Sequence, residues 1–196
     1  MHLFISTSIR LFFLLTPFFV LSVFLSLTRD ISAARRRTIA VWLTFDVVII
    51  SFILYFMGNA IFSVFGITLD SFRIGAGALL FLSAVDLVRG NEAPVHPDDP
   101  DSITVVPLAI PITVGPATTG ALLVMGAEVT SVWEKVIGCS ALLTAVLSVG
   151  ILLFLGTSIE KIIGCTGLRV LSKLTGLVLA ALAAQIIFTG VQHFLA

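Results

Sequence analysis

Apolar positions dominate the chain and are punctuated by polar clusters at long intervals. A helix needs about 20 apolar residues to cross the hydrocarbon core of a bilayer. Runs of about that length occupy 4–27, 39–57, 72–89, 103–126, 134–156 and 170–192, which predicts six transmembrane helices. Two further apolar pieces, 58–69 and 157–168, are too short to cross and are expected to be re-entrant or interfacial connections. The stretch 90–102, GNEAPVHPDDPDS, holds Pro94, Pro97 and Pro100 with four acidic residues and reads as an exposed linker. It divides the chain into 1–89 and 103–196, each with three spans. The expected fold class is an all-α polytopic membrane protein.

Within the fourth span the pattern is interrupted. The run VVPLAIPITVGPATTGALLVM (105–125) is as apolar as a membrane helix but contains Pro107, Pro111, Gly115 and Pro116. An interior proline removes a backbone hydrogen bond and clashes with the preceding turn, so a lipid-facing helix has no means to satisfy the freed carbonyls. A single proline is read as a kink; this cluster is read as a broken helix. Thr16-Pro17 interrupts the first span in the same way. Residues 1–27 are read as a retained span and not as a secretory signal, because the run is long and lacks a small-x-small site before Arg29.

Composition fits this setting. The chain is 58% hydrophobic and only 11% charged, with a mean hydropathy of +1.17, so lipid is its expected solvent and membrane lipids its expected partners. Its 196 residues are taken up by the spans, which leaves no room for a soluble catalytic domain. A net charge of zero argues against nucleic acid as a partner. Whether the chain forms a homo-oligomer is left open by the sequence.

Basic residues predict orientation. Arg29, Arg35, Arg36, Arg37, Arg89, Lys161, Arg169 and Lys173 fall on one side, and Arg10, Arg73 and Lys135 on or near the other. The excess belongs in the cytoplasm, which places both termini outside a plasma (inner) membrane. Two halves of three spans must then run in opposite directions, the arrangement of an inverted repeat. Sliding the chain by 99 residues superposes Pro17 on Pro116 and Gly77 on Gly176, brings the two short connections into coincidence, and sets Asp86 opposite Gln185.

On this pairing spans one and four are discontinuous partners whose half-helix ends meet near the bilayer centre. Free N–H groups there suit a carboxylate, and unwound carbonyls suit an ammonium or a cation. Thr16, Pro17, Thr113, Gly115, Pro116, Thr118 and Thr119 are the candidate substrate-binding residues. The alternative for each threonine is a hydrogen bond back to its own helix, the commoner fate of a membrane threonine. Asp46 alone among eleven acidic residues sits near the middle of a span, where a charge costs about 2.5–3.5 kcal/mol on insertion scales. It is the candidate for coupling to H+ or Na+, the alternative being a neutral carboxyl hydrogen-bonded to a neighbouring helix. At the membrane surface Asp86, close to Arg89, is expected to form an interfacial ion pair or a helix cap. Gly75, Gly77 and Gly176 are expected to serve close helix packing.

Catalysis has no visible apparatus. His2, His96 and His193 lie at the termini and in the central linker, and Cys139 and Cys165 fall near opposite faces, so neither a metal site nor a disulfide is expected. No cofactor is expected, and the chain is not read as an enzyme.

The segments SITVVPLAIPITVGPATTGALLVMG (102–126) and FGITLDSFRIGAGALLFLSAVDLVRG (65–90) resemble the MarC family of bacterial and archaeal inner-membrane proteins, also called UPF0056 or SnatA-related. The resemblance extends over nearly the whole chain. Family members usually carry an acidic residue or asparagine before the first-span proline and a glycine after it, whereas this chain has Thr16-Pro17-Phe18. One archaeal branch of the family is associated with transport of glycine and alanine. The resemblance, together with the broken helices, implies a secondary transporter of a small solute, a neutral amino acid being favoured. The competing classes are a channel and a non-transporting protein with a structural or assembly role.

Overall fold

The computed structural model describes residues 2–29, 31–90, 113–129 and 131–195. It is helical: α1 (His2–Leu14), α2 (Pro17–Leu27), α3 (Ala33–Phe65), α4 (Leu69–Arg89), α5 (Pro116–Glu128), α6 (Val132–Phe154) and α7 (Gly156–Leu195). No strand occurs among the described residues. Taking α1 and α2 together as one span, five helical segments are long and apolar enough to cross a membrane, the others being α3, α4, α6 and α7. The upstream half of the expected fourth span, 103–112, lies outside the described residues, as do Pro107, Pro111 and most of the 90–102 linker.

Helix boundaries follow local chemistry. Ser32 caps α3 by accepting from the Arg35 N–H at 3.4 Å, and Thr68 caps α4 by accepting from Ser71 N–H at 3.2 Å. Gly66 and Gly90 close α3 and α4 in the left-handed conformation that a side chain disfavours. The two short apolar pieces are helical. Residues 58–65 continue α3, and 156–163 form the start of α7, which kinks at Gly164 (φ 70°). At 33 residues and about 1.5 Å per residue, α3 is roughly 50 Å long. Its far end and the start of α7 expose Val64, Phe65 and Ile162, as expected of interfacial segments.

The core runs along the bundle axis through Leu11, Leu15, Leu21, Phe24, Leu43, Leu80, Leu122, Leu142 and Leu179. Large side chains such as Trp42, Phe45, Phe56 and Phe188 point outward, the arrangement lipid permits and water would penalise. Close approach depends on small residues. A Cβ on Gly77 would lie 2.6 Å from Ile187 Cγ1 and 3.2 Å from the Ala183 carbonyl oxygen. A Cβ on Gly176 would lie 2.9 Å from both the Ala84 carbonyl oxygen and Val88 Cγ2. Three residues of the second contact are counterparts of those in the first at an offset of 99 positions: 77 with 176, 84 with 183, and 88 with 187. Leu87, whose Cβ would lie 3.0 Å from a Cβ on Gly176, has no such counterpart among the atoms nearest Gly77. The starts of α2 and α5, and those of α3 and α6, keep the same offset.

Gly75 is not part of this contact. It faces outward with no described atom within 4 Å of a Cβ placed there, so the packing role expected of it falls to Gly77 and Gly120, where a Cβ would meet Ala76 Cβ at 2.7 Å. Asp86 is exposed and makes no side-chain ion pair with Arg89. It is the Asp86 backbone carbonyl that closes α4, accepting from Gly90 N–H at 2.8 Å.

Candidate functional site

The first-span break is sharp. α1 stops at Leu14 and α2 starts at Pro17, whose missing N–H costs nothing at the first helical position. Between them Thr16 takes φ 47°, ψ 54° and is the one non-glycine with positive φ among the described residues. A β-branched residue is rarely found there, because its Cβ crowds the carbonyl oxygen. The first backbone bond of α2 runs from Val20 N–H to the Thr16 carbonyl at 3.0 Å, and that of α5 from Thr119 N–H to the Gly115 carbonyl at 2.8 Å. Neither helix start has a side-chain cap. The N–H groups of Phe18, Phe19, Ala117 and Thr118 therefore have no partner within their own helices.

The first-span break touches the start of α5. Thr118 Oγ1 donates to the Leu14 carbonyl at 3.2 Å in a buried setting, satisfying an acceptor that the end of α1 leaves open. Most polar side chains in this fold bond back to their own helix, as Thr28, Thr44, Thr144, Ser172 and Thr175 do. Thr118 departs from that habit. Thr113 and Pro17 are buried; Thr16, Gly115 and Thr119 are half-buried; Pro116 is exposed.

Two cavities with polar walls flank this contact. The first, of about 210 Å³, lies between α1, α4, α5 and α7 on the side of the chain termini. Its polar wall is Arg10, Arg73, Glu128, Gln185 and Thr189, and it reaches inward to Leu14 and Ala121. Arg73 is buried and forks onto Glu128, with Nε at 3.0 Å and Nη2 at 2.9 Å from Oε1. The Arg73 Nη1 group also pairs with Asp70 and lies 3.1 Å from His193 Nδ1, which in turn is 3.6 Å from Asp70 Oδ1. This network ties α4, α5 and α7 together at one end of the bundle. Arg10 makes no hydrogen bond or ion pair with any described residue, which leaves its guanidinium available to the cavity.

The second cavity, of about 410 Å³, opens on the face bearing Arg29, Arg36 and Arg169. Along its wall stand Ser22, Leu25, Ser26 and Arg29. In the first cavity the corresponding positions are Ala121, Val124, Met125 and Glu128, each 99 residues further on. Along α1 and α2 the first-span break falls between Leu14, which lines the first cavity, and Ser22, which lines the second.

Of the residues expected to bind substrate, none lines either cavity. Asp46, half-buried on α3, lines neither cavity and makes no hydrogen bond or ion pair with any described residue. Sequence reasoning missed Arg10, Arg73, Glu128 and Gln185 as a group. In the sequence Arg10 and Arg73 enter only through the charge balance across the membrane and Gln185 only as the position opposite Asp86, while Glu128 carries no expectation. No group of three or more His, Cys, Asp and Glu side chains able to hold a metal occurs among the described residues.

The family model described as MarC family integral membrane protein matches residues 1–195. A UPF0056 membrane protein of Methanocaldococcus jannaschii is 33% identical over 192 residues, covering 93% of this chain and 92% of the relative. The UPF0056 membrane protein YhcE of Escherichia coli is 31% identical over 196 residues, with 94% and 89% covered. A UPF0056 membrane protein of Aquifex aeolicus is 27% identical, with 98% and 94% covered. No solved structure matches the chain.

Proposed function

The chain belongs to the MarC family of integral membrane proteins, and from that premise we propose that it is a secondary transporter of a small solute, with a neutral amino acid such as glycine or alanine favoured. The observation that carries the reading is a pair of cavities at opposite ends of the bundle: four wall positions on α2 and its C-terminal end and four on α5 lie a constant 99 residues apart, and the first-span break, in contact with the start of α5, stands between the cavities along α1 and α2. Inverted repeats place their solute at such a partition and expose it to each side in turn. The reciprocal contacts of Gly77 and Gly176 support the same pseudo-two-fold relation.

In this reading the cavity near the termini faces outward and the basic cavity faces the cytoplasm. A volume of about 210 Å³ is below the usual range for drug-sized ligands, which suits a solute of a few heavy atoms. Arg10 receives the carboxylate of a zwitterion, and Glu128, already oriented by Arg73, receives its ammonium. The partition offers unpaired N–H groups as the next station for the carboxylate. Asp46 is the group assigned to H+ or Na+ coupling, because it is an intramembrane carboxyl without a described partner.

Uptake of labelled alanine and glycine into proteoliposomes of the full chain tests the proposal. Saturable uptake driven by a proton or sodium gradient supports it, and Arg10→Gln should raise KM about tenfold by removing a charged hydrogen bond. Non-saturating flux would make the protein a channel. Absence of flux under every gradient would leave the partition a packing feature.

A further inference from the structure

The two cavities correspond in position but not in charge. Where the outer site has Glu128, the basic cavity has Arg29, and where α4 carries Asp70 beside Arg73, α7 carries Arg169. With Arg36, three guanidinium groups line one space of about 410 Å³, against one carboxylate, Glu160, among the described residues.

Arg36 is fixed without using that carboxylate. Its Nη1 donates to Thr157 Oγ1 at 2.9 Å, and its Nη2 donates to the Thr28 carbonyl at 2.6 Å. All of these acceptors are neutral, so the positive charge is held in place but not cancelled. Its Nε is buried and without a partner. The side chains of Arg29 and Arg169 make no hydrogen bond or ion pair with any described residue. The buried Nε is costly to leave unmet, and the exposed guanidinium groups of Arg29 and Arg169 stand free to meet an anion at the same cavity.

We propose that this cavity binds a phosphate-bearing ligand through Arg29, Arg36 and Arg169, with the hydroxyls of Ser22 and Ser26 as further donors. Three planar forks around one space suit the several peripheral oxygens of a phosphate better than the two oxygens of a carboxylate. Basic pockets between membrane helices are used in this way for anionic headgroups. The ligand is either the headgroup of an anionic lipid or a free phosphate. The inference depends on the cavity alone and would stand if the protein carried no solute.

The test uses the purified full chain in maltoside micelles, with the apparent unfolding midpoint followed against ligand concentration. The probes are dioctanoyl phosphatidylglycerol against dioctanoyl phosphatidylcholine, and inorganic phosphate against chloride at equal ionic strength. A rise with phosphatidylglycerol alone identifies a lipid headgroup site, and a rise with inorganic phosphate identifies a free phosphate site. Arg29→Gln and Arg169→Gln, both at exposed positions, should each weaken the apparent affinity about tenfold. Lys135→Gln, which removes a cation outside the cavity, should leave it unchanged. The proposal is overturned if neither probe exceeds its control, or if the two arginine variants bind as tightly as the parent.

Discussion

Alanine at Gly176 and at Gly77 should loosen the bundle, and alanine at Gly75 should not. A new Cβ at Gly176 would stand 2.9 Å from the Ala84 carbonyl oxygen, a backbone atom that cannot rotate aside, so α4 and α7 must separate. Overpacking of this kind costs about 1–3 kcal/mol, and the helix propensity gained on replacing glycine by alanine returns about 1 kcal/mol. The expected net loss for Gly176→Ala is therefore up to about 2 kcal/mol, and falls toward the upper end because the atom met is backbone. For Gly77→Ala the closest atom is Ile187 Cγ1, which can shift, while the Ala183 carbonyl oxygen lies further off at 3.2 Å. Its expected loss is nearer 1 kcal/mol on the same reasoning. Gly75→Ala meets no described atom within 4 Å and keeps only the propensity gain, so it should be neutral or slightly stabilising. Titration of the three variants with dodecyl sulfate in mixed micelles, read by far-UV ellipticity, ranks them directly. If Gly77→Ala and Gly176→Ala unfold at the same detergent fraction as Gly75→Ala, the close α4–α7 contact is not a determinant of stability.

Thr118→Val keeps the side-chain shape while leaving the Leu14 carbonyl without its donor, and should cost about 1–3 kcal/mol in the same titration; an unchanged midpoint would remove this bond from the account of the partition. Thr16→Gly relieves a β-branched residue of its left-handed backbone and should raise stability by about 1 kcal/mol, whereas a loss would mean that the Thr16 side chain contributes more than its strain costs. Glu128→Gln weakens the fork with Arg73, but Glu128 is 40% exposed, so a stability loss of only about 1 kcal/mol is expected, together with a clear fall in solute affinity. Compartment reporters fused after Gly90 and at the C-terminus should report cytoplasm and exterior respectively; agreement between the two would refute the orientation.

Much of the fold was legible because lipid imposes a simple rule of length and polarity. The first, second, third, fifth and sixth apolar runs each fall on a helical segment, and Pro17 and Pro116 each open a helix. The buried face of each helix was less accessible. Along α3 the buried positions Ala40, Leu43, Val47, Ser51, Tyr55, Gly58 and Phe62 follow helical spacing, but outward positions such as Val41, Phe45 and Ile49 are equally apolar. A helix apolar all round gives no stripe to read. Gly75 and Gly77 look alike in sequence, and only rotation about the α4 axis separates the packed residue from the bare one. The first cavity was hidden for a related reason. Arg10, Arg73 and Glu128 stand near the ends of apolar segments, where a charge ordinarily reaches the headgroups, and their convergence depends on helices far apart in the chain.

The length of α3 bears on how the protein meets its membrane. A rod of roughly 50 Å exceeds a hydrocarbon core of about 30 Å, and its surplus turns carry bare apolar side chains. The start of α7 carries its own on the far side of the Gly164 bend. Such a helix must lean, bend along the surface or draw the leaflet toward it, and each response is set by local bilayer thickness. The protein is thus mechanically coupled to its lipids, and acyl chain length becomes a variable that acts on the bundle through α3.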